Sequence, residues 1–221
     1  GYFALIKHAE QWVVVDNVQF IERGWVNRNR ILSSTYGWTY IRVPLVKASH
    51  KLNINERKIR NTENWQKKIF SQLGHYKNLA PYYKDVIDLL ERIFSVQTDS
   101  LVRLNTRALA MVCEYLQINF NYPLSSRLNL NYSKIKEPDD WPLQTALLFG
   151  ADEYINPPGG MEFYNREKFE RHQVKLKFLK VHLKPYFQNG YPFEPGLSII
   201  DVMMFNSPGE INDMLDEDEL F

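Results

Sequence analysis

The stretch Trp12-Val13-Val14-Val15-Asp16-Asn17-Val18-Gln19-Phe20 joins a run of β-branched residues directly to a polar turn. A β-branched run without polar alternation is typical of a strand buried on both faces, as in a parallel sheet. The strand predicted over 12–15 therefore ends where Asp16, Asn17 and Gln19 begin. It delivers a carboxylate and two amide groups to one edge of the predicted sheet.

Short apolar strands and helical spacings alternate along the rest of the chain. Further strands are predicted at 38–43, 120–124, 153–155 and 174–178, and further helices at 2–11, 143–149, 199–205 and from Ser207 onward. The middle segment 62–117 is predicted to be helical, with Thr62 capping its first helix and Cys113 packed in an apolar stripe. This alternation favours an α/β protein with a mostly parallel, Rossmann-like sheet flanked by helices. Because no repeat or low-complexity linker occurs, we expect a single domain over 1–221, with 62–117 as a helical insertion or subdomain.

The composition argues against several classes of protein. The formal net charge of +1 gives no general attraction to nucleic acid or to a membrane. The single cysteine rules out an internal disulfide framework and suits a reducing, cytoplasmic compartment. The apolar runs are too short to span a bilayer, and no secretory signal is visible. The histidines at 8, 50, 75, 172 and 182 lack metal-ligand spacing, so no metal site is expected.

Three polar segments directly follow predicted strands, at 16–19, 125–127 and 156–160. In open α/β sheets ligands lie beyond the carboxyl ends of the strands, so these segments predict a functional site. Asp16 suits general-base chemistry or substrate orientation. The alternative is turn formation, because aspartate and asparagine also bond their own backbone in turns.

The other two strand-end segments carry weaker signals. The stretch Ser125-Ser126-Arg127 offers hydroxyl groups and a cation to a phosphate, but without the glycine-rich loop of a nucleotide-binding P-loop. The two glycines of 156–160 let a backbone approach a ligand closely, which a plain loop needs equally. Ser198 and Asp201 have the spacing of a helix capping box.

A basic segment over 23–30 is the main candidate for binding an anion. It carries three arginines and two asparagines: Arg23, Asn27, Arg28, Asn29 and Arg30. The planar guanidinium group suits phosphate or carboxylate, so an anionic ligand is one interpretation. The other is a solvated surface. Nucleic acid is the broader version of the first interpretation, and the neutral overall charge disfavours it.

Five long motifs stand out along the chain: Gly1-Tyr2-Phe3, Asp16-Asn17-Val18-Gln19-Phe20-Ile21, Gly24-Trp25-Val26-Asn27-Arg28-Asn29-Arg30-Ile31, Tyr154-Ile155-Asn156-Pro157-Pro158-Gly159-Gly160, and Leu197-Ser198-Ile199-Ile200-Asp201-Val202-Met203-Met204-Phe205-Asn206. Together they resemble the WbqC-like protein family. In two respects the chain departs from the family. A Gln-Pro-x-x-x-Pro loop that usually precedes Gly-Tyr-Phe is not among these residues, and Asn17 stands where a second aspartate often occurs.

The resemblance implies a role in bacterial O-antigen and other surface-polysaccharide biosynthesis. It implies a glycine transferase that joins glycine to the amine of a nucleotide- or lipid-linked amino sugar. The acyl donor is then free glycine with ATP, an activated acyl donor such as a thioester, or a charged tRNA. An ATP-using ligase or nucleotidyltransferase-like enzyme and a non-catalytic sugar-nucleotide-binding protein are the alternatives. We expect a cytoplasmic location, with peripheral contact to the inner membrane as a variant.

The residues expected to do this work combine the strand-end segments with the family motifs. Asp16 and Gln19 are the predicted catalytic residues. The predicted substrate-binding residues are Asn17, Arg23, Asn27, Arg28, Asn29, Arg30, Ser125, Ser126, Arg127, Asn156, Gly159, Gly160, Asp201 and Asn206.

Overall fold

The computed structural model describes residues 1–188 and 192–221, and it places eight α-helices and five short strands within them. The helices are α1 (Tyr2–His8), α2 (Trp65–Leu73), α3 (Tyr83–Phe94), α4 (Leu101–Tyr115), α5 (Asp140–Leu148), α6 (Arg166–Glu170), α7 (Ile199–Phe205) and α8 (Pro208–Asp216). The strands are β1 (Arg28–Leu32), β2 (Trp38–Arg42), β3 (Glu153–Asn156), β4 (Lys175–Lys180) and β5 (Glu219–Leu220). The protein is therefore mixed α/β.

The strands form two small sheets in the described part of the chain, so the expectation of a large, mostly parallel Rossmann-like sheet is not met. β1 and β2 make an antiparallel ribbon. In the other sheet β4 lies between β3, which is parallel to it, and β5, which is antiparallel. The basic segment is not a loop throughout, because Arg28, Asn29 and Arg30 lie within β1.

The predicted strands at 12–15 and 120–124 do run side by side, in the parallel sense, but they form an irregular pair. The Trp12 N–H donates to the Asn121 carbonyl at 3.3 Å, the Val14 N–H to the Pro123 carbonyl at 3.1 Å, and the Ser125 N–H to the Val14 carbonyl at 2.9 Å. A regular parallel ladder needs one further bond, from the amide of residue 123 to the Trp12 carbonyl. Proline has no N–H to give, so the ladder is interrupted there.

Most of the apolar core lies between the helices α2, α3, α4 and α7 and the inner face of the β1–β2 ribbon. Cys113 is fully buried in it, which confirms a packed core thiol. Burial raises the pKa of this thiol to about 12. A second, smaller core packs α5 and α6 against β3 and β4.

Local capping patterns decide where several helices begin. The Ser207 hydroxyl accepts from the Glu210 N–H at 3.3 Å, while the Glu210 carboxylate accepts from the Ser207 N–H at 2.7 Å. This confirms the predicted capping box of α8. The cap of α2 is Asn64, whose side chain accepts from the Lys67 N–H at 2.9 Å, and not Thr62. Among the described residues, no helix is long and apolar enough to cross a membrane.

Candidate functional site

The first candidate site is the strand-end cluster, which we define as Asp16, Asn17, Ser125 and Ser126. The Asp16 Oδ1 accepts from the Ser125 hydroxyl at 2.9 Å and from the Ser126 N–H at 2.8 Å. Its Oδ2 accepts from the Ser126 hydroxyl at 2.7 Å. The structure therefore brings together the carboxyl ends of the two irregular strands, which are 109 residues apart at Asp16 and Ser125.

The main chain around Asp16 is tied on two sides. Its N–H donates to the Ser125 hydroxyl at 3.0 Å, and its carbonyl accepts from the Asn55 N–H at 2.8 Å. The segment Ser125–Arg127 is a 3₁₀ turn, which presents the Ser126 N–H to the carboxylate. A carboxylate with three donors in fixed positions is well oriented.

Access to the strand-end cluster is one-sided. Asp16 is 2% exposed and Ser125 is fully buried, whereas the Ser126 side lies at the surface. The Ser126 hydroxyl donates inward to Asp16 and keeps acceptor lone pairs of its own. A ligand outside therefore meets the carboxylate through this hydroxyl.

Ser125 connects the two polar residues of the first strand end. Its hydroxyl lies 2.9 Å from Asp16 Oδ1 and 2.6 Å from Asn17 Oδ1. Because a hydroxyl carries one proton, it donates to one of these oxygens at a time. A turned Asn17 amide, with its nitrogen toward Ser125, satisfies both contacts.

Gln19 and Arg127, the remaining polar residues of these two segments, both lie at the surface. Gln19 is exposed and donates to the His50 carbonyl at 3.1 Å, so it fastens the loop around 49–53. Arg127 is exposed beside Ser126. It is the cation nearest in sequence to the exposed hydroxyl of the cluster.

The second candidate site is the aromatic–arginine face, which we define as Trp25, Arg28, Arg30, Trp38 and Tyr40. The Arg30 guanidinium lies 5.5 Å from the Trp25 ring and 5.1 Å from the Trp38 ring. The Arg28 guanidinium lies 4.2 Å from the Tyr40 ring. Trp25 is 57% exposed and Trp38 is 40% exposed, so flat apolar surface faces solvent here.

The register of the ribbon explains why these side chains share a face. Arg30 pairs with Tyr40 across the strands, and Arg28 pairs with Arg42. Since side chains alternate between faces along a strand, Ile31 and Ile41 turn inward to the core while the arginines turn outward. The ribbon thus separates an apolar inner face from a cationic outer one.

Local hydrogen bonds hold the turn that precedes β1. Arg28 donates from Nε to the Gly24 carbonyl at 3.1 Å and from a terminal nitrogen to the Arg23 carbonyl. Asn27 donates to the Val43 carbonyl at 3.0 Å, and the Asn29 side chain accepts from the Arg30 N–H at 2.8 Å. These bonds shape the segment locally, and none of the four reaches the strand-end cluster.

A tyrosine–aspartate network lies next to the end of β1 at Leu32; we define it as Tyr76, Tyr186, Gln188 and Asp201. Asp201 is fully buried. Its carboxylate accepts from the Tyr76 hydroxyl, from the Tyr186 hydroxyl at 2.5 Å and from the Gln188 amide at 3.3 Å. Burial raises the pKa of Asp201, and the donors partly oppose that shift. Burial and the nearby carboxylate also raise the pKa of both tyrosines.

The expected capping box at the start of α7 is therefore only half correct. Ser198 is the N-cap and accepts from the Ile200 N–H at 3.3 Å. The Asp201 carboxylate turns inward instead of returning to the Ser198 N–H, which donates to the Arg30 carbonyl at 2.8 Å. Asn206 ends the same helix and donates to the Val202 carbonyl at 2.8 Å.

The third polar segment does not join the others in the described contacts. The Asn156 amide donates to the Tyr164 hydroxyl at 2.9 Å, within the second core. Gly159 and Gly160 lie in the 3₁₀ segment Pro158–Phe163 that follows β3. The edge of a single large sheet would have gathered all three segments, and that sheet is not present in the described residues.

The aromatic members of the second site and the tyrosines of the network were missed at the sequence level. The alternation of arginine in 28–30 and of aromatic residues in 38–40 was a usable signal, because period-two spacing places such residues on one face of a strand. Tyr76 and Asp201 are 125 residues apart and had no comparable signal.

Two clefts of the described structure lie apart from both candidate sites. One, of about 320 Å³, is lined by residues of α3 and α4. The other, of about 430 Å³, is lined by Ile59, residues 61–66 and 96–98, and Leu104. Within residues 1–188 and 192–221, no group of three or more His, Cys, Asp or Glu side chains is placed to hold a metal ion.

Comparison with known proteins adds one family and one relative. The family model described as "WbqC-like protein family" matches residues 1–213. The protein described as "Uncharacterized protein Rv1507c", from Mycobacterium tuberculosis (strain ATCC 25618 / H37Rv), is 30% identical over 218 residues. This alignment covers 97% of the present chain and 91% of that protein. No solved structure matches the chain.

Proposed function

The chain belongs to the WbqC-like protein family, and from that premise we propose that it is an acyl transferase acting on an amino sugar. The acyl group is an aminoacyl group, with glycyl as the first candidate. The acceptor is the amine of a nucleotide-linked amino sugar used in bacterial O-antigen or other surface-polysaccharide biosynthesis.

The observation that carries this proposal is the hydrogen bond from the hydroxyl of Ser126, a surface residue, to the buried Asp16 carboxylate. In acyl transfer the amine nitrogen attacks the acyl carbonyl, a C–N bond forms, and the bond from the acyl carbon to the donor's leaving group breaks. The nitrogen must lose one proton in this process. Ser126 accepts that proton while it passes its own to Asp16, and the leaving group departs with the electron pair.

The arrangement suits a base that works through a hydroxyl. Ser125 and the Ser126 N–H hold Asp16 Oδ1, which leaves Oδ2 for the Ser126 hydroxyl. The carboxylate is thereby oriented without contact with solvent. Orientation of this kind is a large part of general-base efficiency.

Neighbouring residues supply the binding groups that such a substrate needs. Arg127 is the proposed partner of the substrate's phosphates, because it is exposed next to Ser126. Gln19 and Asn17 are the proposed partners of sugar hydroxyl groups or of the acyl oxygen. Arg28 and Arg30 lie on the separate aromatic–arginine face, and a different role for them is argued below.

A mass-spectrometric assay tests the proposal. The chain is incubated with a uridine- or thymidine-diphosphate amino sugar and, in separate reactions, with glycine and ATP, a glycyl thioester or glycyl-tRNA. We expect one donor to add a single glycyl group to the sugar amine. Asp16→Asn and Ser126→Ala are expected to abolish it, and Ser133→Ala, at an exposed serine away from the cluster, to leave it unchanged.

The main rival is a non-catalytic sugar-nucleotide-binding protein, and the full burial of Asp16 is the feature that favours it. Under this rival, the nucleotide-linked sugar binds, no donor yields product, and Asp16→Asn leaves binding unchanged. Pyrophosphate release with ATP and glycine, without transfer to the sugar, points instead to a ligase.

A further inference from the structure

Basic residues are concentrated in one segment of this nearly neutral chain. Residues 23–60 contain nine of its 27 lysines and arginines but only one of its 26 acidic residues, Glu56. In the described structure Lys58 and Arg60 pair with acidic residues and Arg57 is buried, so six of the nine cations remain to form a basic surface within a chain of net charge +1. Such segregation, more than net charge, marks a surface that attracts polyanions.

The arginines on and around the aromatic–arginine face have no acidic partner in the structure. Among residues 1–188 and 192–221, none of the ion pairs involves Arg23, Arg28, Arg30 or Arg42. Arg42 is exposed at the outer face of β2, opposite Arg28. Their positive charge is therefore available to an external ligand.

Aromatic rings are interleaved with these cations. Trp38 and Tyr40 lie on β2 and Trp25 lies just before β1, all beside Arg28 or Arg30, and both tryptophans are exposed. Exposed rings between guanidinium groups are the combination that stacks bases while tracking a phosphate backbone. An acidic polysaccharide offers charges to such a face but no flat bases.

The number of cations without an acidic partner favours a nucleic-acid strand over a single nucleotide as the ligand of this face. A nucleoside diphosphate carries two phosphates, fewer than the four arginines without an acidic partner. Exposed Lys47 and Lys51 add further charge in the loop after β2. A strand presents one phosphate per nucleotide and follows an open surface, whereas single nucleotides are usually held in pockets. Neither of the two clefts described above includes this face.

We propose that the outer face of the β1–β2 ribbon binds single-stranded nucleic acid, with bases stacked on Trp25 and Trp38 and phosphates held by the surrounding arginines. This site goes beyond the proposed transferase and does not depend on it. If both hold, the strand is the acceptor end of a charged tRNA, which would identify the acyl donor.

Fluorescence anisotropy with a labelled, uncharged single-stranded RNA of about 12 nucleotides tests the site without any turnover. We expect saturable binding that weakens steeply between about 50 and 200 mM salt, with a slope of log affinity against log salt near −0.7 per phosphate neutralised. The intrinsic tryptophan fluorescence should fall as bases stack.

Two variants distinguish the contribution of phosphate contacts to RNA binding from the contribution of base stacking. Arg42→Gln is expected to make the salt slope shallower by about 0.7, because one phosphate contact is lost. Trp38→Ala is expected to weaken binding on the order of tenfold with the salt slope unchanged. Lys84→Gln and Phe163→Ala, at exposed residues elsewhere, are the matched controls and should bind as the parent does.

Three results would overturn the proposal. One is the absence of RNA binding by protein that a cooperative urea-unfolding transition shows to be folded. Another is displacement of the RNA by uridine diphosphate at similar concentration, which indicates a single-nucleotide site. The third is displacement by heparin together with an unchanged affinity for Trp38→Ala, which indicates an acidic polysaccharide. Failure of the transferase assay leaves each of these readouts intact.

Discussion

Two buried aspartates, Asp16 and Asp201, are held by different kinds of hydrogen-bond donor. Asp16 is held by serines, and one of them, Ser126, lies at the surface. Asp201 is held by two tyrosine hydroxyls and the Gln188 amide, deep in the structure. Burial of the carboxylate is thus shared, and the environment of the donors differs. A donor at the surface can relay a proton, whereas donors in the interior fix the relative positions of chain segments.

The segments that Asp201 connects are distant in sequence. Tyr76 follows α2, Tyr186 precedes the segment that leads to α7, and Asp201 itself lies in the first turn of α7. The Leu32 N–H of β1 also donates to the Tyr76 hydroxyl at 2.9 Å. This aspartate therefore joins the ribbon, through the main-chain N–H of Leu32, to two other parts of the fold.

The largest expected effect is on stability, at Asp201. Replacement by alanine leaves two tyrosine hydroxyls and an amide without their shared acceptor in a buried place. Each buried donor without a partner costs roughly 1–3 kcal/mol, so we expect a total loss of about 3–4 kcal/mol in the free energy of unfolding. Urea unfolding measures it. Asp213→Ala, at an exposed site on α8, is the control, and an equal loss in both variants would contradict the role of the network.

A smaller loss of stability is expected at Asp16. Asp16→Ala also removes three accepted hydrogen bonds, but the exposed Ser126 hydroxyl can turn to water. We expect a loss of about 1–2 kcal/mol, again from urea unfolding. Asp152→Ala, at an exposed aspartate, provides the comparison. A loss of unfolding free energy as large as that of Asp201→Ala would mean that the donors of both carboxylates are equally inaccessible to water.

The pH dependence of stability should distinguish Asp201 further. Burial raises its folded-state pKa above the ordinary value of 3.8, so folding favours its protonated form. The contribution of protonated Asp201 to the free energy of unfolding is complete below pH 3.8, where the folded and the unfolded state both hold the proton. It is lost as pH rises through the folded-state pKa. We expect the stability of the parent relative to Asp201→Asn to fall over that range in urea titrations. A difference that does not change with pH would contradict the raised pKa.

The smallest effect on stability is expected at Ser126, although its replacement should abolish glycyl transfer. Ser126→Ala removes the hydroxyl that donates to Asp16 Oδ2, but water can take its place from the surface side, so we expect a loss of about 1 kcal/mol in the free energy of unfolding. The glycyl-transfer assay is expected to give no product with it. A variant that keeps its rate would remove the relay and leave Asp16 as an orienting group.

Local sequence patterns predicted much of the fold correctly. The errors in the predicted fold arose where segments distant in sequence pair with each other. The helices of the middle segment and the Ser207–Glu210 capping box depend on neighbours within a few residues, so periodicity and cap chemistry predicted them. The large parallel sheet was wrong in part because Pro123 interrupts the pair formed with 12–15. A single missing N–H is easily overlooked when a strand is predicted from its side chains.

The candidate sites divide in the same way. Placing polar residues at strand ends predicted that Asp16 and Ser125 would be close, and the structure has them in contact. It did not predict which of their atoms face solvent, since exposure depends on the packing of the whole chain. The tyrosines around Asp201 could not be found from sequence, because nothing local in 76 or 186 points to a residue in α7.

Gly196 has a consequence for how this protein varies among organisms. Its backbone is in the left-handed region, with φ +67°, and a Cβ there would lie 2.9 Å from a terminal nitrogen of Arg30. Arg30 also donates to the Gly196 carbonyl at 2.9 Å. Any larger residue at 196 would displace the arginine, so the two positions are coupled across 166 residues of chain. We therefore expect positions 30 and 196 to covary among homologous proteins. Homologues that lack the glycine are expected to have lost or altered Arg30 as well.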